Sequence, residues 1–219
     1  MAKRNKSTPV AVLGLGRFGS ALAHELSSSG VEVLGVDSDP KVVQAHASSV
    51  REVACGDSTS EAVLEELGVF ELPTVVVAIG QHLEDSILTA SILAEREVTS
   101  IWARADNRQH ERILQRIGVH HVVRPEYDTG RRVAHLLNER IHEFAEIARD
   151  YSVVAMPAPD IAVAIADPLE LWQQHHVQVV SVRRRGIWQP VDIAGSIEAS
   201  DVITIAGATK DLEKFSLLN

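Results

Sequence analysis

The sequence predicts an α/β protein, a doubly wound parallel sheet followed by a small C-terminal α+β lobe. Three observations carry that expectation. Apolar runs without polar alternation recur between helical patterns through residue 123, as strands buried on both faces require. A Gly-x-Gly-x-x-Gly spacing (Gly14, Gly16, Gly19) lies between the first apolar run and the first helical pattern. Beyond residue 150 the pattern changes to short strands separated by turns.

Taken in order, "VAVLGLG" reads as a strand, followed by a helix over Phe18 to Ser28. "VEVLGVD" precedes a short helix from Pro40, with Asp39 as its cap and the proline in its first turn. "REVAC" leads to a helix over Ser60–Leu67, "TVVVAIG" to one over Leu83–Glu97, and "TSIWARA" to one over Arg108–Ile117. Asp106 with Gln109 reads as a capping box for the last of these, and Gly118 as its C-terminal stop. "HHVV" is the sixth strand. Residues 1–130 then form one nucleotide-binding lobe. An amphipathic stripe over Arg131–Arg149 (Val133, Leu136, Leu137, Ile141, Phe144, Ile147, Ala148) predicts a crossover or interface helix across residues 131–150. Residues 151–219 form the C-terminal lobe, with strands at "YSVVAM", "IAVAI", "VQVVSVRR" and "DVITIAG", a helix over Pro168–Gln174 and a short one near Asp211. A lobe of about 70 residues is near the lower limit for independent stability and gains from pairing with a copy of itself.

Composition narrows the function classes. The 219 residues carry a net charge of −9, with 45% hydrophobic and 23% charged residues. That balance suits a globular protein and excludes a nucleic-acid surface, which needs clustered Lys and Arg. Arg183-Arg184-Arg185 is the one tight basic cluster. The single cysteine, Cys55, forms no intrachain disulfide and fits a reducing cytoplasm. No run approaches the roughly 18 apolar residues that span a bilayer.

The glycine spacing carries the chemistry. The first glycine allows a tight turn, the second lets the backbone approach a pyrophosphate, and the third permits close helix–strand packing. Here it follows a strand, opens a helix, and is succeeded by Asp37, 18 residues beyond Gly19. A carboxylate there accepts from both ribose hydroxyls and repels a 2′-phosphate, which disfavours NADP. This is a Rossmann-like nucleotide site. Arg17, inside the loop, adds a bidentate phosphate contact or is a solvated loop arginine. Asp57, Ser58 and Thr59 line the base and ribose pocket or cap the helix that follows. Ala78, Ile79 and Gly80 end the fourth strand, where a sheet of this kind meets its ligand. Arg104, ending the fifth strand, can reach a phosphate. Glu126, after the sixth, either helps hold Mg²⁺ beside a polyphosphate or is an exposed loop acid. The adjacent pairs His120-His121 and His175-His176 lack zinc-ligand spacing, and neither a nucleophile elbow nor a Walker A ending is present.

Together these motifs resemble a known family, the cytoplasmic regulatory subunits of Ktr/Trk potassium transporters, built from RCK domains. The resemblance runs nearly end to end through "VLGLGRFG", "VLGVDSDP", "GDST", "VVVAIG", "IWARADN", "ILQRIGVHHVVRPEYDTG" and "DVITIAGATKDLEKF", and it is closer to the Ktr type, which binds ATP and ADP. It implies a non-enzymatic subunit, peripheral to the inner face of the membrane. Dimers would assemble into an octameric homo-oligomeric ring that gates a membrane potassium-translocating subunit. It also implies that Gly14, Gly16, Arg17, Gly19 and Arg104 meet phosphate, that Asp37 holds ribose, that Asp57, Ser58 and Thr59 flank the base, that Phe18 and Ser38 belong to the same nucleotide site, and that Glu126 takes part in a cation site. Some members bind cyclic di-AMP in the C-lobe. This chain departs from the pattern there, with His175-His176 in place of a glycine and an unusually apolar "PAPDIAVAIADP". The alternatives from other classes are an NAD(H)-binding redox sensor and an NAD-dependent oxidoreductase. The latter needs a proton donor beside the nicotinamide, and the C-terminal lobe offers no recognisable version of one.

Overall fold

The computed structural model describes residues 8–80, 82–137, 140–148, 150–165, 167–191 and 195–218, in two compact units that divide between Glu126 and Tyr127. In the first unit strands alternate with helices: β1 (Val10–Leu13), α1 (Arg17–Ser28), β2 (Val33–Asp37), α2 (Pro40–His46), β3 (Glu52–Cys55), α3 (Glu61–Glu66), β4 (Thr74–Val77), α4 (Leu83–Glu95), β5 (Ser100–Arg104), α5 (Arg108–Ile117) and β6 (His121–Val123). The strands form one parallel sheet in the order β3-β2-β1-β4-β5-β6. The order reverses between β1 and β4, which opens a crevice at their carboxyl ends.

The unbroken apolar runs have a direct cause. Ala11, Leu13, Val75 and Val77 face a core completed by Leu64, Leu93 and Leu114 of α3, α4 and α5. Their strand neighbours Val10, Val12, Val76 and Ala78 face the opposite core, with Leu22 and Ala23 of α1 and Val42 of α2. Both sheet faces are covered, so both sets of alternate residues must be apolar. The Asp39 side chain caps α2 by accepting from the Lys41 N–H at 2.8 Å. Gly118, at φ 109°, ends α5 in the left-handed region. The capping box expected at Asp106 is not formed. Asn107 is the cap of α5, its side chain accepting from the His110 N–H at 2.9 Å. Asp106 is drawn instead to Arg104, 3.0 Å away.

The second unit carries most of α6 (Pro125–Leu136), then β7 (Glu143–Ala148), β8 (Tyr151–Pro157), α7 (Asp160–Ala164), α8 (Pro168–His175), β9 (Val177–Arg184), β10 (Ile187–Pro190), β11 (Val202–Ala208) and α9 (Thr209–Phe215). Its strands form an antiparallel sheet in the order β10-β9-β11-β8-β7. One core fills it, in which Val154, Met156, Val179, Ile203 and Ile205 meet Ala162, Leu171, Leu212 and Phe215 of the helices.

Two expectations fail here. The helix predicted over Arg131–Arg149 stops at Leu136, and Glu143–Ala148 is a strand paired with β8. Ile141 and Phe144 enter the core of the second unit, and that burial outweighs the helical spacing of the stripe. Ile147 is left 65% exposed. Arg131 and Arg132 of α6 pair with Glu146 and Glu143 of β7 at 2.5 and 3.1 Å. The strand expected at "IAVAI" is the short helix α7, which begins after Pro159 and buries Ala162 completely.

Asp201 ties the end of β9 to the start of β11 from inside. Its side chain is fully buried and accepts from Arg184 twice, Nε to Oδ1 at 2.9 Å and Nη2 to Oδ2 at 2.7 Å, and from the Glu198 N–H at 2.8 Å. The Arg184 hydrogen bond holds the Asp201 carboxyl below its ordinary range, against the opposing effect of burial. His176 ends α8 at φ 56° and ψ 32°, the left-handed conformation that glycine adopts most easily.

Candidate nucleotide site

The crevice at the carboxyl ends of the parallel strands is a cleft of about 500 Å³. Gly14, Gly16, Arg17, Phe18, Asp37, Ser38, Asp57, Ser58, Thr59, Ala78, Ile79, Gly80, Arg104 and Glu126 all line it. Gly19 does not. Its role is packing, because a Cβ there would stand 1.9 Å from the Gly14 carbonyl oxygen. Gly14 turns the chain at φ 95°, and a Cβ on it would meet the backbone of Ala78 and Ile79 at 3.3 Å. Only glycines let the loop lie this close to both α1 and the end of β4.

Gly16 caps α1, and no atom lies within 4 Å of where its Cβ would point. Gly16 supplies no side-chain cap to the first N–H groups of α1, and a helix start of that kind suits an anion. Asp37 anchors the loop at its other side. Its Oδ2 accepts from the Leu15 N–H at 2.7 Å and its Oδ1 from the Asp39 N–H at 2.9 Å. Each carboxylate oxygen keeps a lone pair for a ribose hydroxyl. Asp57 accepts from the Thr59 hydroxyl at 2.7 Å and its N–H at 2.9 Å, and these bonds, the hydroxyl first, lower its pKa. Thr89 of α4, buried, donates to the Ser58 carbonyl at 3.1 Å and fixes that turn from below.

Opposite the glycine loop, Arg104 is 15% exposed and pairs with Glu126 at 2.7 Å and Asp106 at 3.0 Å. Its Nε is buried without a partner among the described residues. Gly80 makes room for it, since a Cβ there would stand 1.3 Å from Arg104 Nη1. Behind it His110 is buried, and burial pushes its pKa down, with Asp106 opposing and Arg104 adding to that fall. The cleft residues fit a nucleotide through an open glycine cradle, a ribose carboxylate and a cation with an unused buried donor. The cation site is less complete. Glu126 is held by Arg104, and among the described residues no group of three His, Cys, Asp or Glu side chains gathers to hold a metal ion.

Sequence reasoning missed Asp39, Gly56, His82 and Asp85, which also line the cleft. Asp39 adjoins Ser38 and Gly56 adjoins Asp57 in the cleft lining. His82 and Asp85 belong to the start of α4, and the rule that helices after switch-point strands face the ligand could have found them.

Residues 10–125 match the TrkA-N domain family. The chain is 34% identical over 209 residues to the Ktr system potassium uptake protein C of Bacillus subtilis (strain 168), with 94% of each chain covered. The chain belongs to the Ktr-type potassium-uptake subunits. Ktr system potassium uptake protein A of the same organism is 32% identical over 219 residues, with 97% of each chain covered. As a Ktr-type subunit the protein is regulatory, not an enzyme. Its fold is similar to that of the GsuK channel bound to NAD, with a TM-score of 0.64 at 17% identity, covering 96% of this chain and 39% of that one. GsuK bound to ADP gives a TM-score of 0.51 at 17% identity, covering 62% and 35%. No described helix is long and apolar enough to cross a membrane.

Proposed function

We propose that the cleft of this Ktr-type subunit takes ATP and ADP in turn, and that the exchange sets the activity of a membrane potassium-translocating subunit. The observation that carries this reading is the pairing, across one cleft, of an open glycine cradle with Arg17 and Arg104 on the phosphate side and Asp37 on the ribose side. Asp37 accepts ribose hydroxyls, the N–H groups of α1 and the Arg17 guanidinium receive the phosphates, and Asp57 to Thr59 flank the base. Arg104 turns to the terminal phosphates, and Glu126, released from it, holds a divalent cation such as Mg²⁺. One carboxylate with phosphate oxygens and water is a common Mg²⁺ shell. Dimers assembled into a homo-oligomeric ring on the inner face of the membrane would convert differential affinity for the two nucleotides into two ring states, since a ligand shifts an equilibrium only by that difference.

The second reading, an NAD(H) sensor, draws on the same Asp37 and on the NAD-bound GsuK channel. Calorimetric titration of ATP, ADP, NAD and NADH into the protein separates them. Tighter binding of ATP and ADP is expected, and a stronger NADH response would replace the proposal with the redox reading. Glu126→Gln should remove the Mg²⁺-dependent part of ATP binding, and an unchanged Mg²⁺ dependence takes Glu126 out of the cation site.

A further inference from the structure

Away from the cleft, two imidazoles on neighbouring helices face each other. His24 of α1 and His46, the last residue of α2, bring Nε2 and Nδ1 to 3.2 Å, with ring planes at 90° and centroids 5.3 Å apart. The Ser49 hydroxyl lies 2.9 Å from His24 Nε2 and donates to the His46 carbonyl at 3.1 Å. His24 is exposed and His46 half-buried, so the pair is open to solvent. A single proton, carried by one ring nitrogen and donated to the other, satisfies this contact.

The same separation is also the bite of a chelating pair. Two imidazole nitrogens about 2.0–2.1 Å from one ion, at ligand angles between square and tetrahedral, stand about 2.9–3.4 Å apart. We propose that His24 and His46 form a two-histidine site for a divalent first-row transition-metal ion of the Zn²⁺ or Ni²⁺ kind, which takes the place of the shared proton. Imidazole nitrogen suits these ions, whereas Mg²⁺ and Ca²⁺ take oxygen. Among the described residues no third His, Cys, Asp or Glu side chain completes a cluster. Water therefore fills the remaining positions and the ion exchanges, unlike a closed structural site. Position gives the site its meaning. α1 starts at the glycine loop and α2 starts at the turn that follows Asp37, so an ion on this pair clips together the two helices that lead away from the cleft.

The test is calorimetric titration of the full-length, untagged protein with NiCl₂ and, separately, with ZnCl₂. One ion per chain is expected. His24→Ala and His46→Ala should each weaken binding by about tenfold or more, at least what loss of an outer-sphere partner costs. Ser49→Ala, which removes no ligand, should leave affinity unchanged. Ni²⁺ should also raise the melting temperature of the wild type and not that of His24→Ala. Absence of binding at millimolar Ni²⁺ and Zn²⁺, or binding that survives the double substitution His24→Ala/His46→Ala, overturns the proposal.

Discussion

The first unit buries both faces of a parallel sheet and gathers its polar chemistry at one end of the strands, where Asp37, Arg104 and Glu126 line an open cleft. The second unit covers one face of an antiparallel sheet and keeps its firmest polar contact inside, between Arg184 and fully buried Asp201. The same kind of ion pair therefore does different work in the two. Glu126 is 64% exposed, and the loss of its partner costs little because water replaces it. Asp201 has no such recourse. The cleft can exchange partners, and the C-lobe pair is built to keep them.

That contrast can be broken by substitution. Asp201→Ala removes the acceptor of two Arg184 hydrogen bonds and of the Glu198 N–H, leaves Arg184 to Glu198 and the Ser196 carbonyl, and should lower stability more than Glu126→Ala does. Denaturant unfolding measures it, and a loss below about 1 kcal/mol would place this pair with the surface ones. The pair also sets a pH response. Because Arg184 holds the Asp201 carboxyl below its ordinary value of 3.8, the folded state binds that proton less readily than the unfolded chain. The stabilisation is complete above that value and is lost as pH falls through the lower folded value. Asp201→Asn should therefore show a flatter fall in stability below about pH 4 than the wild type.

In the first unit the largest expected cost comes from a glycine. Gly19→Ala forces a methyl against the Gly14 carbonyl and should destabilise by about 3 kcal/mol, with loss of nucleotide binding in calorimetry. Gly16→Ala meets open space and should cost no more than about 1 kcal/mol, the penalty of alanine at a helix N-cap. The smallest effect distinguishes two neighbours. Asn107→Ala should cost about 1 kcal/mol as a lost helix cap, whereas Asp106→Ala leaves that cap intact. Thermal melts of the two variants decide between them.

Much of the first unit was legible because its constraints are local. Strand and helix positions, the cap at Asp39 and the stop at Gly118 follow from neighbours a few residues apart. Most of the cleft lining was legible too, since ligands in this topology meet the strand ends. The partner of Glu126 was not. Arg104 stands 22 residues away, and a loop acid in a sequence carries no sign of which cation it will meet. Asp106 and Asn107 are equally good caps by composition, and the pull of Arg104 on Asp106 separates them.

The doubly wound sheet, the glycine cradle and the acid at the end of the second strand are written in the residues alone, because φ > 0, close backbone approach and two-sided burial each admit few residue types. That residues 143–148 join a sheet, that "IAVAI" coils into a helix and that Asp201 closes on Arg184 emerges only in the folded chain. Those segments satisfy more than one local period, and burial against partners distant in sequence selects among them.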